Sequence, residues 1–303
     1  MAVTPQISAV VPTLGRSPLL AECLEALRAD GGAALEIVLV LPAGFELPAA
    51  IAGLMDRRVR LPEPAGFATA TNAGIAAATA PFLATVNDDA VIQPGWCATL
   101  HAELEKDPAL GAVQGVNLRY DTPAVIDGAG LEWNSWWQAI QLGHGEPFDE
   151  STAPRKVFGV SATAALYRRE ALDAAAHRHG KFFDERLGSY YEDAELAVRL
   201  RRAGWRARSV PAARALHAGS TTSGAMSVRR WRWIHGNRWL AAAALLGEDF
   251  RGELPRLLTR DLRDLVRAAA TLNARRIAGI LLGWGRAGKR LRGFRHGNPP
   301  LGT

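Results

Sequence analysis

Residues 82–96 read FLATVNDDAVIQPGW: an apolar run ends abruptly in Asn87-Asp88-Asp89, turns apolar again, and stops at Pro94-Gly95. Neighbouring carboxylates repel each other, and apolar surroundings make the repulsion worse. The elements upstream explain what carries this pair. ISAVVP (7–12) reads as a buried strand closed by Pro12-Thr13-Leu14-Gly15-Arg16. Leu19, Leu20, Cys23, Leu24 and Leu27 then follow helical spacing, and Gly31-Gly32 ends that helix. LEIVLVL (35–41) is a continuous apolar strand of the kind buried on both faces of a parallel sheet. Arg60-Leu61 marks a short third strand. An alanine-rich helix follows Gly66 and runs through Ala77. Residues 81–86 are then the next strand, which delivers Asn87-Asp88-Asp89 at its carboxyl end. This alternation predicts an α/β sheet flanked by helices. Ligands of such sheets bind outside the carboxyl ends of the strands, so the Asp pair stands where a ligand belongs.

Downstream, residues 98–106 read as a helix and 111–120 as a strand. Residues 121–156 read as irregular, with Trp133, Trp136 and Trp137 clustered, and apolar residues 157–169 precede another helix. Asp193 is expected to cap a helix that carries Leu196 and Leu200 and ends at Gly204. RARSVPAA (206–213) reads as a short strand before His217. Beyond Gly224 the pattern is basic amphipathic helix, broken near Gly247 and Gly283.

The 303 residues are 48% apolar, ample for a packed core. Cys23 and Cys97 have no metal-like spacing, which fits a reduced, cytosolic compartment and not a disulfide scaffold. No export signal is read at the start of the chain, and no apolar run is long enough to cross a bilayer. The net charge of +6 hides a division. Residues 1–198 hold 14 Lys/Arg against 25 Asp/Glu, and residues 199–303 hold 22 against 5. Such a basic tail suits a polyanion or a membrane surface, or is simply an arginine-rich solubilising face.

Each candidate motif has a plain reading beside the chemical one. The Asp pair is a loop start, a divalent-cation site or an acid/base pair. Tyr190-Tyr191-Glu192-Asp193 is an ordinary acidic helix start or a catalytic carboxylate pair. His217 is a structural histidine, or a neutral ligand to a cation already held by carboxylate. Their order along the chain favours chemistry.

In that order the sequence resembles the inverting glycosyltransferases of family 2, which have the GT-A fold, and within them the bacterial rhamnosyltransferase-like branch. The matching stretches are VVPTLGR (10–16), residues 66–96, IDGAGLEW (126–133), ATAALYRREAL (162–172), residues 182–220 and GNR (236–238). The resemblance implies a Rossmann-like GT-A catalytic domain over 1–222, with a nucleotide-binding half to about residue 95 and an acceptor half beyond it. A basic helical region over 223–303 would follow.

It also implies residue roles. Asp89 would hold Mg²⁺ or Mn²⁺ against a donor diphosphate, with His217 joining the metal shell and Asp88 turned towards the nucleoside. Pro12, Thr13 and Arg16 would line the donor crevice, with Gly66 and Asn72 beside it. Asp193, with Glu192, would be the catalytic base. Trp136 and Trp137 are candidates for acceptor contacts. The donor would be a dTDP-, UDP- or GDP-linked sugar, and the acceptor a saccharide or lipid-linked saccharide of the cell envelope. The protein would be cytoplasmic, or peripheral on the inner face of the membrane, with Arg-Trp-rich residues 229–239 suited to headgroups and the basic helix over 254–272 to an interface. No nucleic acid is expected.

The chain departs from the family at two points. Its second strand ends in Leu41-Pro42-Ala43-Gly44 without the usual Asp, and Gly236 replaces a frequent Arg. Two competing readings are a nucleotidyltransferase, for which PTLGR carries a single glycine, and an inactive membrane- or polyanion-binding module.

Overall fold

The computed structural model describes residues 4–31, 34–176, 182–219, 226–291 and 294. Its first part is the expected alternation: β1 (Ile7–Pro12), α1 (Leu20–Gly31), β2 (Leu35–Pro42), β3 (Arg57–Leu61), α2 (Phe67–Ala77) and β4 (Phe82–Val86). These strands are parallel, with β1 between β2 and β4. Alternate residues of β2 serve different layers. Ile37, Leu39 and Leu41 join Leu20, Leu24 and Leu27 of α1, while Val38 and Val40 join Ala68 and Ile75 of α2. That double burial is why the strand reads as an unbroken apolar run. Gly32, expected to help end α1, lies outside the described residues, as does the expected boundary at 222–223.

The chain continues through β5 (Ala90–Ile92), α3 (Trp96–Lys106), β6 (Leu110–Arg119) and the three-residue strands β7 (Ile126–Gly128), β8 (Leu131–Trp133), β9 (Ala139–Gln141) and β10 (Arg155–Val157). Then come β11 (Ala164–Arg168), α4 (Arg169–Ala174), α5 (Glu192–Arg202) and β12 (Arg206–His217). The main sheet has the order β10-β12-β6-β11-β4-β1-β2-β3, with β5 on β12 and β7 on β6. It is mostly parallel, with β11 and β10 opposed to their neighbours.

Residues 121–156 are therefore not wholly irregular, but strands of three residues are too short to leave a sequence pattern. β12 also outruns its expected end at residue 213. Its register against β6 breaks between Ser209 and Arg214, so Pro211 falls in an irregularity and pairing resumes as far as His217.

Three helices complete the fold: α6 (Val228–Leu246), α7 (Leu254–Ala270) and α8 (Ala274–Arg290). Gly247, at φ +56°, ends α6 as expected. Gly283 does not end α8. A Cβ on Gly236 would lie 2.9 Å from the Gly283 carbonyl oxygen, so the two glycines let the α6 and α8 backbones meet. The Gly236 departure thus has a packing reason. Residues 229–239 belong to α6: Trp231 is packed against Gly279 and Trp239 is buried with its indole N–H donated to Asp261, while Arg229 and Arg232 stay exposed.

Candidate active site

Parallel pairing of β1 with β4 brings Thr13 beside the Asp pair. The Thr13 hydroxyl donates to Asp88 Oδ2 at 2.5 Å, and the Gly15 amide donates to Thr13 Oγ1 at 2.9 Å. Gly15 has φ +71°, which suits glycine at this tight turn. Burial pushes the Asp88 carboxyl up to about 6; the Thr13 hydroxyl opposes that rise and the Asp89 charge adds to it. Asp89 itself is buried.

Antiparallel pairing of β5 with β12 sets His217 opposite Ala90, and the Ala218 amide donates to the Asp89 carbonyl at 3.0 Å. His217 Nε2 thereby lies 3.4 Å from Asp89 Oδ1, and its Nδ1 lies 2.8 Å from Asp127 Oδ2. Burial alone would lower the His217 pKa. The hydrogen bonds to Asp127 and Asp89 outweigh it and raise the value to about 9. At Asp127 burial opposes ionisation, but the His217 contact, helped by His144 and Arg119, holds the carboxyl below its usual range.

This donor set fits a divalent cation. Among the described residues no Lys or Arg forms an ion pair with Asp88 or Asp89. A carboxylate oxygen and an imidazole nitrogen face one point, and a second carboxylate fixes the far side of the ring, as metal-binding histidines require.

The Glu-Asp motif lines the same cleft. Tyr190 and Tyr191 have φ +70° and +69°, a left-handed conformation that costs roughly 1–3 kcal/mol per residue. Asn237 of α6 holds this turn by donating to the carbonyls of Leu187, Ser189 and Tyr190 at 2.8–2.9 Å. Asp193 is not the helix cap: Tyr191 occupies that position, and Asp193 lies in the first turn, where its Oδ1 accepts from the Ala194 amide at 2.8 Å.

Glu192 and Asp193 are both raised, by burial first. Asp193 charge raises Glu192 further, whereas the amides of Ala194 and Ala162 and the Ser161 hydroxyl favour ionised Asp193. Glu192 Oε2 is buried without a hydrogen-bond partner. Glu192 is thus the more strongly raised of the two, and Asp193 is the one whose surroundings favour the ionised form.

These groups line one cleft of about 740 Å³. Pro12, Thr13, Arg16 and Gly66 line it together with Asp88, Asp89 and His217 and with Glu192 and Asp193. Three expected residues do not line it. The Asn72 amide is taken up by both backbone groups of Phe183 and by Glu185. Trp136 stacks under Arg263, with 4.6 Å between the guanidinium carbon and the ring centre, and Trp137 donates its indole N–H to Glu253 at 2.7 Å.

Sequence reasoning missed Asp127, although IDGAGLEW contained it, and also Tyr190, Arg229, Arg230 and Trp233, which line the cleft from the α5 and α6 sides. Acidic groups that share a cleft with Arg16, Arg229 and Arg230 can hold a cation together with a polyphosphate.

A second carboxylate–histidine cluster, His235 with Asp261 and Asp264, lies within 4.8 Å among buried groups. Its carboxylates are already neutralised by Arg238, Arg260 and Arg276 at 2.6–2.8 Å, so it reads as a structural hub.

Residues 5–236 match the family described as "Glycosyltransferase like family 2". No curated protein matches the chain in sequence. Among solved structures, the chain is similar to GalNAc-T7 with UDP, GalNAc and Mn²⁺ (TM-score 0.60, 15% identity), covering 81% of this chain and 49% of that one. It is similar to the mannosyltransferase PcManGT from Pyrobaculum calidifontis in complex with GDP-Man and Mn²⁺ (TM-score 0.55, 20% identity), covering 95% and 87%. It is also similar to S. aureus TarS 1–349 in complex with UDP-GlcNAc (TM-score 0.53, 15% identity), covering 97% and 93%. The chain thus spans about half the length of the GalNAc-T7 chain. At these identities the likeness shows the shared GT-A fold.

Proposed function

From the premise that this chain belongs to glycosyltransferase family 2, we propose that it is a metal-dependent, inverting enzyme that moves a sugar from a nucleoside-diphosphate donor to a saccharide or lipid-linked saccharide. Rhamnose is the donor sugar that the sequence resemblance favours, and the solved structures similar to this chain bind UDP- and GDP-linked donors. The observation that carries the reading is one cleft lined both by Asp89 and His217 and by the buried carboxyl pair Glu192 and Asp193.

Asp89 and His217 would hold Mg²⁺ or Mn²⁺, and Asp127 would keep the imidazole oriented. A bound cation supplies Lewis-acid stabilisation of charge on the departing diphosphate. Arg16, Arg229 and Arg230 meet the same phosphates from the rim, and Thr13 holds Asp88 in position towards the nucleoside. Asp193 takes the proton from the acceptor hydroxyl as that oxygen attacks the anomeric carbon. The bond to the diphosphate breaks as the new glycosidic bond forms, so the configuration inverts and no enzyme nucleophile is needed. Glu192, raised more strongly by burial and by the Asp193 charge, favours Asp193 as the carboxylate that ionises first.

The test is a thermal-shift screen of the full chain against dTDP, UDP, GDP and CMP, each with Mn²⁺ and with EDTA, since native-state binding raises the melting temperature. A shift with one nucleoside diphosphate that disappears in EDTA is expected, and product NMR should then show an inverted anomer. Flat curves for all four on folded protein, or release of pyrophosphate from a triphosphate, would overturn the reading.

A further inference from the structure

Helix α7 is built inside out. Its inward positions are Leu257, Asp261, Asp264 and Ala268, all buried. The two carboxylates are consumed there: Asp261 accepts from Arg238 at 2.7 Å and from the indoles of Trp239 and Trp284 at 2.6 Å, and Asp264 pairs with Arg260 and Arg276. The outward row is apolar. Leu258, Leu262 and Val266 are 42%, 50% and 67% exposed, and their spacing of four aligns them along the helix. Leu272, in the turn to α8, is 90% exposed, and Leu281 and Leu282 of α8 are about half exposed. A helix that only packs on a soluble domain turns its leucines inward and its carboxylates outward.

The charge around this row is mostly positive, the exception at its start being Glu253, which pairs with Arg256 at 3.0 Å. Arg256, Arg263, Arg267, Arg275, Lys289 and Arg290 are exposed. Among the described residues after Glu253 the acids are Asp261 and Asp264, both facing inward. A second copy of this chain would set cations against cations across a two-fold contact. An anionic lipid surface satisfies both features at once, taking leucines at the acyl boundary and arginines among the headgroup phosphates. No described helix is long and apolar enough to cross a membrane, so the geometry is that of a helix lying on it.

We propose that the outer face of α7, with Leu272 and the exposed leucines of α8, seats the protein on an anionic bilayer. The seat is joined to the cleft. Arg260 donates to Gln138 at 3.0 Å and Arg263 covers Trp136, while Ala139 and Gln141, next along the chain, line the cleft wall. An acceptor whose anchor stays in the bilayer is thereby presented to the cleft. That last step rests on the proposed glycosyltransferase function; the lipid seat does not.

The test is co-sedimentation of the full chain with vesicles of phosphatidylcholine alone or with phosphatidylglycerol added. The comparison variant is Leu258→Gln/Leu262→Gln/Val266→Gln, whose exposed sites leave the fold intact, as thermal melting checks. Wild type should sediment with the phosphatidylglycerol vesicles, and the variant's binding should fall roughly tenfold or more through lost apolar burial. Wild type that stays in the supernatant overturns the proposal. So does a variant that binds like wild type, which would mean charge attraction alone, or light scattering that reveals a dimer the variant breaks. The donor-nucleotide thermal shift, measured on the same preparations, reports separately on the glycosyltransferase reading.

Discussion

His217 Nδ1 lies 2.8 Å from an Asp127 carboxylate oxygen, and this contact leaves Nε2 facing Asp89 at 3.4 Å. The ring can serve a cation only in the tautomer and orientation that Asp127 imposes. Partners of this kind typically contribute about 10–100-fold to metal affinity. Asp127→Asn keeps the shape and removes the charge. It should raise by about that factor the Mn²⁺ needed for half of the nucleotide-dependent thermal shift. An unaltered Mn²⁺ midpoint would remove Asp127 from the site.

Burial holds the Glu192 carboxyl well above its ordinary value of 4.5, and the Asp193 charge raises it further. The native state then keeps a proton that the unfolded chain releases. Stability is full below the unfolded value and declines as pH rises towards the folded one. Gln carries no charge at any pH. Glu192→Gln should therefore melt with wild type near pH 4 and a few degrees above it near pH 8, with ~1 kcal/mol giving about 2–4 °C in a chain of this size. Parallel melting curves across that range would show that Glu192 is ionised in the fold.

Asp193 is raised from its ordinary 3.8 by burial first, against opposing amide and hydroxyl donors. A base acts only when ionised, so kcat/KM should climb with pH through an apparent value above the usual carboxylate range. Asp193→Asn should lower turnover by roughly 10²–10⁴-fold while leaving the donor-nucleotide thermal shift in place. Turnover within a few fold of wild type would assign proton removal to another group.

Much of this was legible because the signals are local. Apolar runs such as residues 35–41, buried on both faces, mark parallel strands whose carboxyl ends share one edge, and the pairing of β1 with β4 then brings Thr13 to Asp88. Asp127 stayed hidden because β7 has three residues and exists only through its pairing with β6. Arg229 and Arg230 reach the cleft because α6 packs under α5, a contact with no mark in the local pattern. The amphipathicity of α7 was readable but its inward side was not, since a buried Asp261 hub, and not its leucines, faces the domain. Asn72 and the Trp136–Trp137 pair lie outside the cleft lining and have partners within the fold, which residue type alone does not reveal.

Asn237 ties the basic helices to the chemistry. It donates to three carbonyls of the 187–190 turn and accepts from Arg286 Nε at 3.0 Å, and that turn carries two left-handed tyrosines immediately before Glu192. Without the amide, the Ser189 and Tyr190 carbonyls lose this donor, at about 1–3 kcal/mol for a group left unsatisfied, while Leu187 still accepts from Arg286 at 2.9 Å. The strain at Tyr190 and Tyr191 then favours relaxation that shifts the start of α5. Asn237→Ala should lower the melting temperature and also lower kcat at temperatures where it remains folded. The Mn²⁺-dependent nucleotide shift, which the proposed function assigns to Asp89 and His217, should persist. A variant that loses stability but keeps full kcat would mean that the 187–190 turn supports the fold and not the position of Asp193.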